Sequence, residues 1–103
     1  MKKNPKLKNA VIVNGRTLIL NKQYYANNGN LAVEVLCTDG EPWSTLTVNL
    51  GGPLPEDMAF IDSNNNSAEL IEACEKAGYI KPSPIVETSG FCTFRAYWIT
   101  LDV

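Results

Sequence analysis

A chain of 103 residues has room for one domain, and its hydrophobic fraction of 45% is close to that of an average globular protein. No apolar run approaches the roughly 20 residues that span a bilayer, which excludes a membrane-spanning helix. Histidine is absent, which excludes Ser-His-Asp and Cys-His catalysis and histidine-ligated metals. An enzyme based on carboxylates or on lysine stays open, but no residues in the sequence mark one. We therefore expect an unprocessed, soluble cytoplasmic protein that is not an enzyme and uses no cofactor, metal or small-molecule substrate.

The net charge of −2 conceals an uneven distribution of charged residues. Residues 1–22 contain six lysines and arginines and no acid, whereas residues 23–103 contain all eleven acids and three basic residues. This asymmetry is typical of a basic arm on an acidic body. We expect residues 1–8 to form a flexible basic arm and residues 9–103 to form a single α+β domain. A solvated tail and an ordinary acidic surface would explain the same pattern.

Three cysteines, Cys37, Cys74 and Cys92, are widely spaced, and each lies in an apolar pattern. No C-x-x-C pair occurs, so the spacing does not suit a zinc site. We expect three reduced thiols that act as small hydrophobic side chains.

The first half of the chain reads as a series of short antiparallel strands. Asn14-Gly15 separates two β-like runs and favours a type I′ turn, which predicts a hairpin from about Ala10 to Tyr25. Alternating apolar residues predict a strand from Leu31 to Cys37. After a turn at Asp39-Gly40, the run from Trp43 to Leu50 predicts one continuous strand. Short connections favour an antiparallel meander.

The next segment predicts a short strand and the only helix. Met58–Asp62 is the candidate strand, and a run of helix-capping residues follows it. With Asn66 as the N-cap, Glu69 takes the third helical position, and the helix runs from Ser67 to about Ala77. Gly78 suits the left-handed residue after the helix. The residues expected to pack against the sheet are Leu70, Ile71, Cys74 and Ala77.

The last segment predicts a rigid connector at Lys81–Pro84, a short strand at Ile85–Thr88 and a long strand at Phe91–Leu101. The long strand is apolar on both faces, which is typical of a central strand. Together these elements predict an α+β fold: an antiparallel β-sheet of about five to seven strands with a single α-helix packed on one face.

The segment Asp39–Leu50, which reads D-G-E-P-W-S-T-L-T-V-N-L, resembles a motif in a family of small proteins carried on plasmids, phages and integrated elements of gut bacteria. The resemblance covers residues 16–101. It departs from the family at Ile61–Asn66, where related chains have a charged segment. The looser matches are Pro53-Leu54-Pro55, Phe60-Ile61, Asn64-Asn65-Asn66, Ala77-Gly78 and Ser89-Gly90-Phe91.

This resemblance implies a type II-A anti-CRISPR protein that inhibits Cas9. Cas9 holds nucleic acid in a positively charged channel, so a compact acidic monomer can occupy such a surface in place of DNA or RNA. The expected partner is Cas9 or the Cas9–guide RNA complex. Ordinary solvated acids and favourable helix-dipole contacts explain the same residues without a partner. The candidate contacts are Glu56, Asp57, Asp62, Glu69, Glu72 and Glu75.

Two other binding functions remain open from the residues. In the first, the basic arm binds nucleic acid for a mobile element, although the isoelectric point of about 5.0 disfavours it. In the second, an exposed aromatic patch mediates self-association. The residues for nucleic-acid binding are Lys2, Lys3, Lys6, Lys8, Arg16 and Lys22, with Tyr24 and Tyr25 for stacking. The aromatic patch comprises Tyr24, Tyr25, Trp43, Phe94 and Trp98.

Overall fold

The structure is a computed structural model, and it describes residues 8–52 and 54–101. These residues form two antiparallel four-stranded sheets and one helix, which confirms the α+β class. The first sheet has the order β1-β2-β3-β4 and the second has the order β5-β6-β8-β7. The elements are β1 (Ala10–Val13), β2 (Arg16–Tyr24), β3 (Leu31–Cys37), β4 (Pro42–Thr45), β5 (Thr47–Val48), β6 (Met58–Ile61), α1 (Ala68–Lys76), β7 (Ile80–Ser89) and β8 (Cys92–Ile99).

The predicted first hairpin is confirmed. Asn14 and Gly15 have φ values of 52° and 79°, and Val13 pairs with Arg16 across this two-residue turn. Positive φ at both central positions is what a type I′ turn requires, and asparagine and glycine adopt it at the lowest cost.

The predicted single strand from Trp43 to Leu50 is two strands in different sheets. The chain changes sheet at Leu46, which is fully buried. The Leu46 N–H donates to the Val33 carbonyl at 2.8 Å, and the Leu46 carbonyl accepts from the Asp62 N–H at 2.8 Å. The backbone of this one residue therefore bonds to β3 on one side and to the end of β6 on the other. This change of sheet is why eight described strands form two sheets, rather than five to seven strands forming one.

Thr47 is buried beside this change of sheet. Its hydroxyl oxygen accepts from the Val33 N–H at 3.1 Å and lies 3.0 Å from the Tyr25 hydroxyl. A buried hydroxyl is stable here because both contacts replace its lost hydrogen bonds to water.

Helix α1 begins one residue later than the sequence predicts. Ser67 is the N-cap, and its hydroxyl oxygen accepts from the Leu70 N–H at 3.2 Å. Leu70 and Cys74 are the buried residues of the helix, and Ile71 packs against the same core, whereas Ala77 is exposed. With nine residues, α1 is too short to span a bilayer, and no other helix occurs within the described ranges.

The helix ends in the manner predicted for Gly78. This glycine has φ +83°, its N–H donates to the Glu75 carbonyl, and the Tyr79 N–H donates to the Cys74 carbonyl, both at 3.0 Å. This pair of bonds is a Schellman motif, which satisfies carbonyls that the last turn leaves unpaired.

The predicted connector Lys81–Pro84 lies inside β7, which pairs with β8 across a register shift between Pro82 and Val86. Ser83 is buried in this irregular segment, and its hydroxyl donates to the Ala96 carbonyl at 2.6 Å. Prolines fit here because β7 is an edge strand and a bulge removes ladder bonds. Strand β8 lies between β6 and β7, so its predicted central position is confirmed.

Buried apolar side chains form two clusters. The larger lies between the two sheets and α1 and contains Leu20, Val35, Leu46 and Leu70 among others. The smaller contains Met58, Phe60, Phe94 and Ala96, with Trp98 packed against it. The larger cluster fixes α1 to the sheets and so determines which helical side chains face outward.

Candidate functional site

The outward side of α1 carries three carboxylates. Glu69, Glu72 and Glu75 are all exposed, and we call these three residues the acidic helix face. They are spaced by three positions, so neighbouring members lie on adjacent turns of the helix. Because Leu70 and Cys74 anchor the opposite side in the core, the acidic helix face is held on a rigid support.

No ion pair neutralises the acidic helix face within residues 8–52 and 54–101. Lys76 is its only basic neighbour on the helix, and it shares a shallow surface depression with Glu72 and Glu75. Glu72 and Lys76, four positions apart on the helix, therefore lie close together without forming an ion pair. Three carboxylates against one ammonium leave this surface negative.

The negative charge of Glu75 acts on Tyr97, which lies on β8 in the second sheet. The pKa of Tyr97 is raised, first by burial and then by the negative charge of Glu75, while the positive charge of Arg95 lowers it. Glu75 therefore contributes to the electrostatic potential around β8 as well as to the helix surface.

Glu56 and Asp57 lie in a separate exposed turn immediately before β6. The Asp57 carbonyl accepts from the Ile99 N–H at 2.7 Å, which places this turn at the end of β8. Asp57 and Asp62 flank opposite ends of β6, so the six predicted contacts do not form one continuous patch.

Asp62 is buried, which contradicts its predicted role as a surface contact. One carboxylate oxygen accepts from the N–H groups of Asn64 and Asn65 at 3.2 and 3.3 Å, and the other accepts from the Asn65 side chain at 2.8 Å. Those bonds fix the turn before α1, so Asp62 has a structural role and we leave it out of the candidate surface.

Asn66, predicted to cap the helix, instead joins the two sheets. Its side-chain amide donates to the carbonyls of Thr45 and Asp62 at 2.9 and 3.0 Å. Its side-chain oxygen accepts from the Ser44 hydroxyl at 2.7 Å. These bonds hold the beginning of α1, and hence Glu69, against the junction of the sheets.

A groove between β1 and α1 was not predicted from the sequence. It has a volume of about 800 Å³ and includes Glu69 and Glu72 on its helical side. Ile12 lies on its strand side and is 70% exposed. The one sign of this groove in the sequence was an apolar residue, Ile12, in a short strand. It indicates a groove only when β1 is known to be an edge strand. The other residues that line the groove are Ala10, Val11, Thr17, Ala73, Lys76, Ala77 and Tyr79.

The predicted aromatic patch is divided between the core and the surface. Phe94 is buried and Trp98 packs against the smaller cluster, whereas Tyr24 and Trp43 are 62% and 49% exposed. The Arg16 guanidinium lies 5.0 Å from the centre of the Trp43 ring, a cation–π distance.

Of the predicted basic contacts, Arg16 and Lys22 lie on β2, with Arg16 exposed and Lys22 half-buried. Lys2, Lys3 and Lys6 lie outside the described residues, as does most of the predicted basic arm.

All three cysteines are free thiols. Burial raises the pKa of the Cys74 thiol from 9.0 to about 12, so this group stays protonated. The described residues contain no group of three or more cysteines and acids suited to hold a metal ion.

Comparisons with known proteins give one match. Residues 19–102 match the family model described as "Domain of unknown function (DUF4313)". No curated protein and no solved structure matches the chain. The match covers the chain from β2 to the end of the second sheet, including α1. Since it spans most of the sequence, the chain belongs to the DUF4313 family.

Proposed function

We propose that this protein is a non-catalytic inhibitor that binds Cas9, or its complex with guide RNA, through the acidic helix face. The observation that carries the proposal is the exposure of Glu69, Glu72 and Glu75 along one anchored helix without ion pairs among the described residues. The resemblance of Asp39–Leu50 to the motif of the mobile-element family, which includes members that look like type II-A anti-CRISPR proteins, is the reason for choosing Cas9 as the partner.

The chemistry of the two surfaces is complementary. Cas9 reads its short DNA signal with arginines and holds nucleic acid in a positive channel. Adjacent acids at helical spacing of three have Cβ atoms about 5–6 Å apart, so they present a row of charges that arginines can bind with charge-assisted hydrogen bonds. Inhibition then results from competition with DNA or RNA for the same arginines and lysines.

The rigidity of α1 supports this mode of binding. Ordering a flexible side chain or loop at an interface costs about 0.5–1.5 kcal/mol per side chain. The helix backbone is already ordered by Leu70 and Cys74 in the core and by the Ser67 cap. Only the glutamate side chains must be fixed on binding, so more of the electrostatic attraction is retained.

The test is cleavage of target DNA by several type II-A Cas9 orthologues, each assembled with guide RNA, in the presence of the protein. We expect the wild-type protein to block cleavage by at least one orthologue. The variant Glu69→Gln/Glu72→Gln/Glu75→Gln removes three charges while keeping side-chain shape, and we expect its half-inhibitory concentration to rise at least tenfold, about 1.4 kcal/mol.

A matched control removes three charges elsewhere. The variant Asp39→Asn/Glu41→Gln/Glu87→Gln changes exposed acids that are not part of α1, and the asparagine keeps the oxygen that accepts from the residue 41 N–H. We expect this control to inhibit like the wild type. Uninhibited cleavage by every orthologue at large molar excess would refute the proposal, and equal losses in both variants would refute the role of the helix.

A further inference from the structure

The groove between β1 and α1 has a free strand edge as one wall. Strand β1 is the first strand in the order of its sheet, and β2 is its partner. Among the described residues, no strand pairs with its other side. An edge of this kind presents unpaired backbone donors and acceptors, which an additional strand can use.

The hairpin register identifies the groups that face the groove. The two-residue turn makes Val13 and Arg16 a hydrogen-bonded pair, and such pairs recur at every second residue. The Leu20 N–H donates to the Asn9 carbonyl at 2.8 Å, which confirms this alternation. The N–H and carbonyl groups of Ala10 and Ile12 therefore point away from β2 and toward the groove.

The surface beside this edge is apolar. The strand register aligns Ala10, Ile19, Leu36 and Pro42 across the four strands of the first sheet, and each of them is half-exposed or exposed. Ile12, two residues further along β1 on the same face, is 70% exposed. A strand added to β1 would continue this surface and cover part of it with every second side chain.

The opposite wall of the groove is acidic. Glu69 and Glu72 line it from α1 and are exposed, and Lys76 is the one basic residue among the described residues of the lining. This charge favours lysine or arginine in an occupant and opposes acidic side chains. The unpaired backbone groups of β1, the side chains of Ala10 and Ile12, and the glutamates of α1 thus lie along one groove, each suited to a different part of the same kind of ligand.

We propose that the groove binds an extended segment of a partner protein, rich in lysine or arginine and alternating with apolar residues, which adds to β1 as a fifth strand of the first sheet. Four residues of such a segment match the length of β1, about 13 Å at roughly 3.3 Å per residue. This inference rests on the proposed function for the partner role of Glu69 and Glu72, but its test does not use Cas9.

The test is titration of the isotope-labelled full chain with a capped peptide of about eight residues in which valine and lysine alternate, followed by NMR. We expect saturating shifts in the amides of Ala10, Ile12 and Ala73, and slower hydrogen exchange at Ala10 and Ile12. Replacing lysine by glutamate in the peptide should weaken binding at least tenfold, as should Glu69→Gln/Glu72→Gln in the protein.

Methylated peptides separate strand addition from simple charge attraction. One peptide carries N-methyl groups on its valines and the other carries them on its lysines, so each loses the donors on a different edge of the extended chain. We expect one methylated peptide to lose at least tenfold in affinity and the other to bind like the parent peptide. The protein itself is unaltered, so misfolding cannot produce this result.

Three outcomes would overturn the inference. They are no binding of the lysine peptide, equal binding of the two methylated peptides, and a dimer of the free protein that buries β1 in sedimentation experiments. The first of these would leave Cas9 inhibition intact if the proposed function is right, whereas failure of Cas9 inhibition with retained peptide binding would refute the proposed function alone.

Discussion

Replacing Asn66 by leucine tests whether this residue joins the two sheets. Asn66 is buried, and its side chain forms three hydrogen bonds, to Ser44, Thr45 and the Asp62 carbonyl. Leucine has a similar shape and leaves little space for water, so the two carbonyls and the Ser44 hydroxyl lose their partner.

The magnitude follows from those three bonds. Each lost bond costs about 0.5–1.5 kcal/mol net, and a carbonyl left buried without a partner costs more, so Asn66→Leu should destabilise the protein by about 3 kcal/mol. In a domain of this size, that lowers the melting temperature by roughly 10–20 °C. The assay is urea denaturation, in which the midpoint should fall and the slope should stay constant.

The matched control is Asn64→Leu in the same turn. Asn64 is exposed, and the one bond from its side chain is to the Cys92 sulfur at 2.8 Å, a weak acceptor. We expect the control to cost less than about 1 kcal/mol. A loss below about 1 kcal/mol for Asn66→Leu as well would show that Asn66 does not hold the sheets together.

Three further substitutions test the helix and the core in the same denaturation assay. Ser67→Ala removes the N-cap and should cost about 1 kcal/mol, and no loss would contradict the cap. Gly78→Ala puts a side chain at φ +83° and should cost about 1–2 kcal/mol, and a stabilised variant would contradict the strain. Burial raises the pKa of Cys74 from 9.0 to about 12, so its contribution to the free energy of unfolding is complete only well below pH 9.0, the pH at which the unfolded thiol is half ionised. This stabilisation of the folded state by Cys74, up to about 4 kcal/mol, is lost as the pH rises toward 12. Cys74→Ala should remove this component, and an unchanged dependence on pH would exclude Cys74 as its source. In the native protein, a thiol reagent should label Cys37 and Cys92 well before Cys74.

The sequence was sufficient to predict those features of the fold that adjacent residues determine. Asn14-Gly15 fixes its turn through positive φ, and the alternation of Leu31–Cys37 agrees with the buried face of β3. Gly78 ends the helix for the same local reason. These features depend on steric preference and period, which adjacent residues determine without distant contacts.

The features of the fold that the sequence did not predict depend on contacts between residues far apart in the chain. Leu46 changes sheet because its carbonyl and N–H bond to residues that lie far apart in the chain, Asp62 and Val33. Asn66 and Ser67 are both good caps, and spacing alone could not choose between them. In the folded chain the Asn66 side chain is buried and donates to the Thr45 carbonyl, and Ser67 caps the helix.

The candidate site likewise contains residues whose exposure was predicted correctly and features that were not predicted. Glu69, Glu72 and Glu75 were predicted as surface contacts, and all three are exposed in the structure. Asp62 was grouped with them because charge usually lies at the surface, yet its turn buries it. The groove required knowledge of strand order, which short apolar runs do not encode.

The central claim is that the acidic helix face binds a positively charged protein and that Cas9 is that protein. The most direct measurement is the affinity of the immobilised Cas9–guide RNA complex for the wild-type chain and for the two triple variants, at about 50 and 200 mM salt. The account predicts tight binding by the wild type and the Asp39→Asn/Glu41→Gln/Glu87→Gln variant, at least tenfold weaker binding by the Glu69→Gln/Glu72→Gln/Glu75→Gln variant, and weaker binding at high salt. Absence of binding by the wild type, or equal affinity of all three proteins, would contradict it.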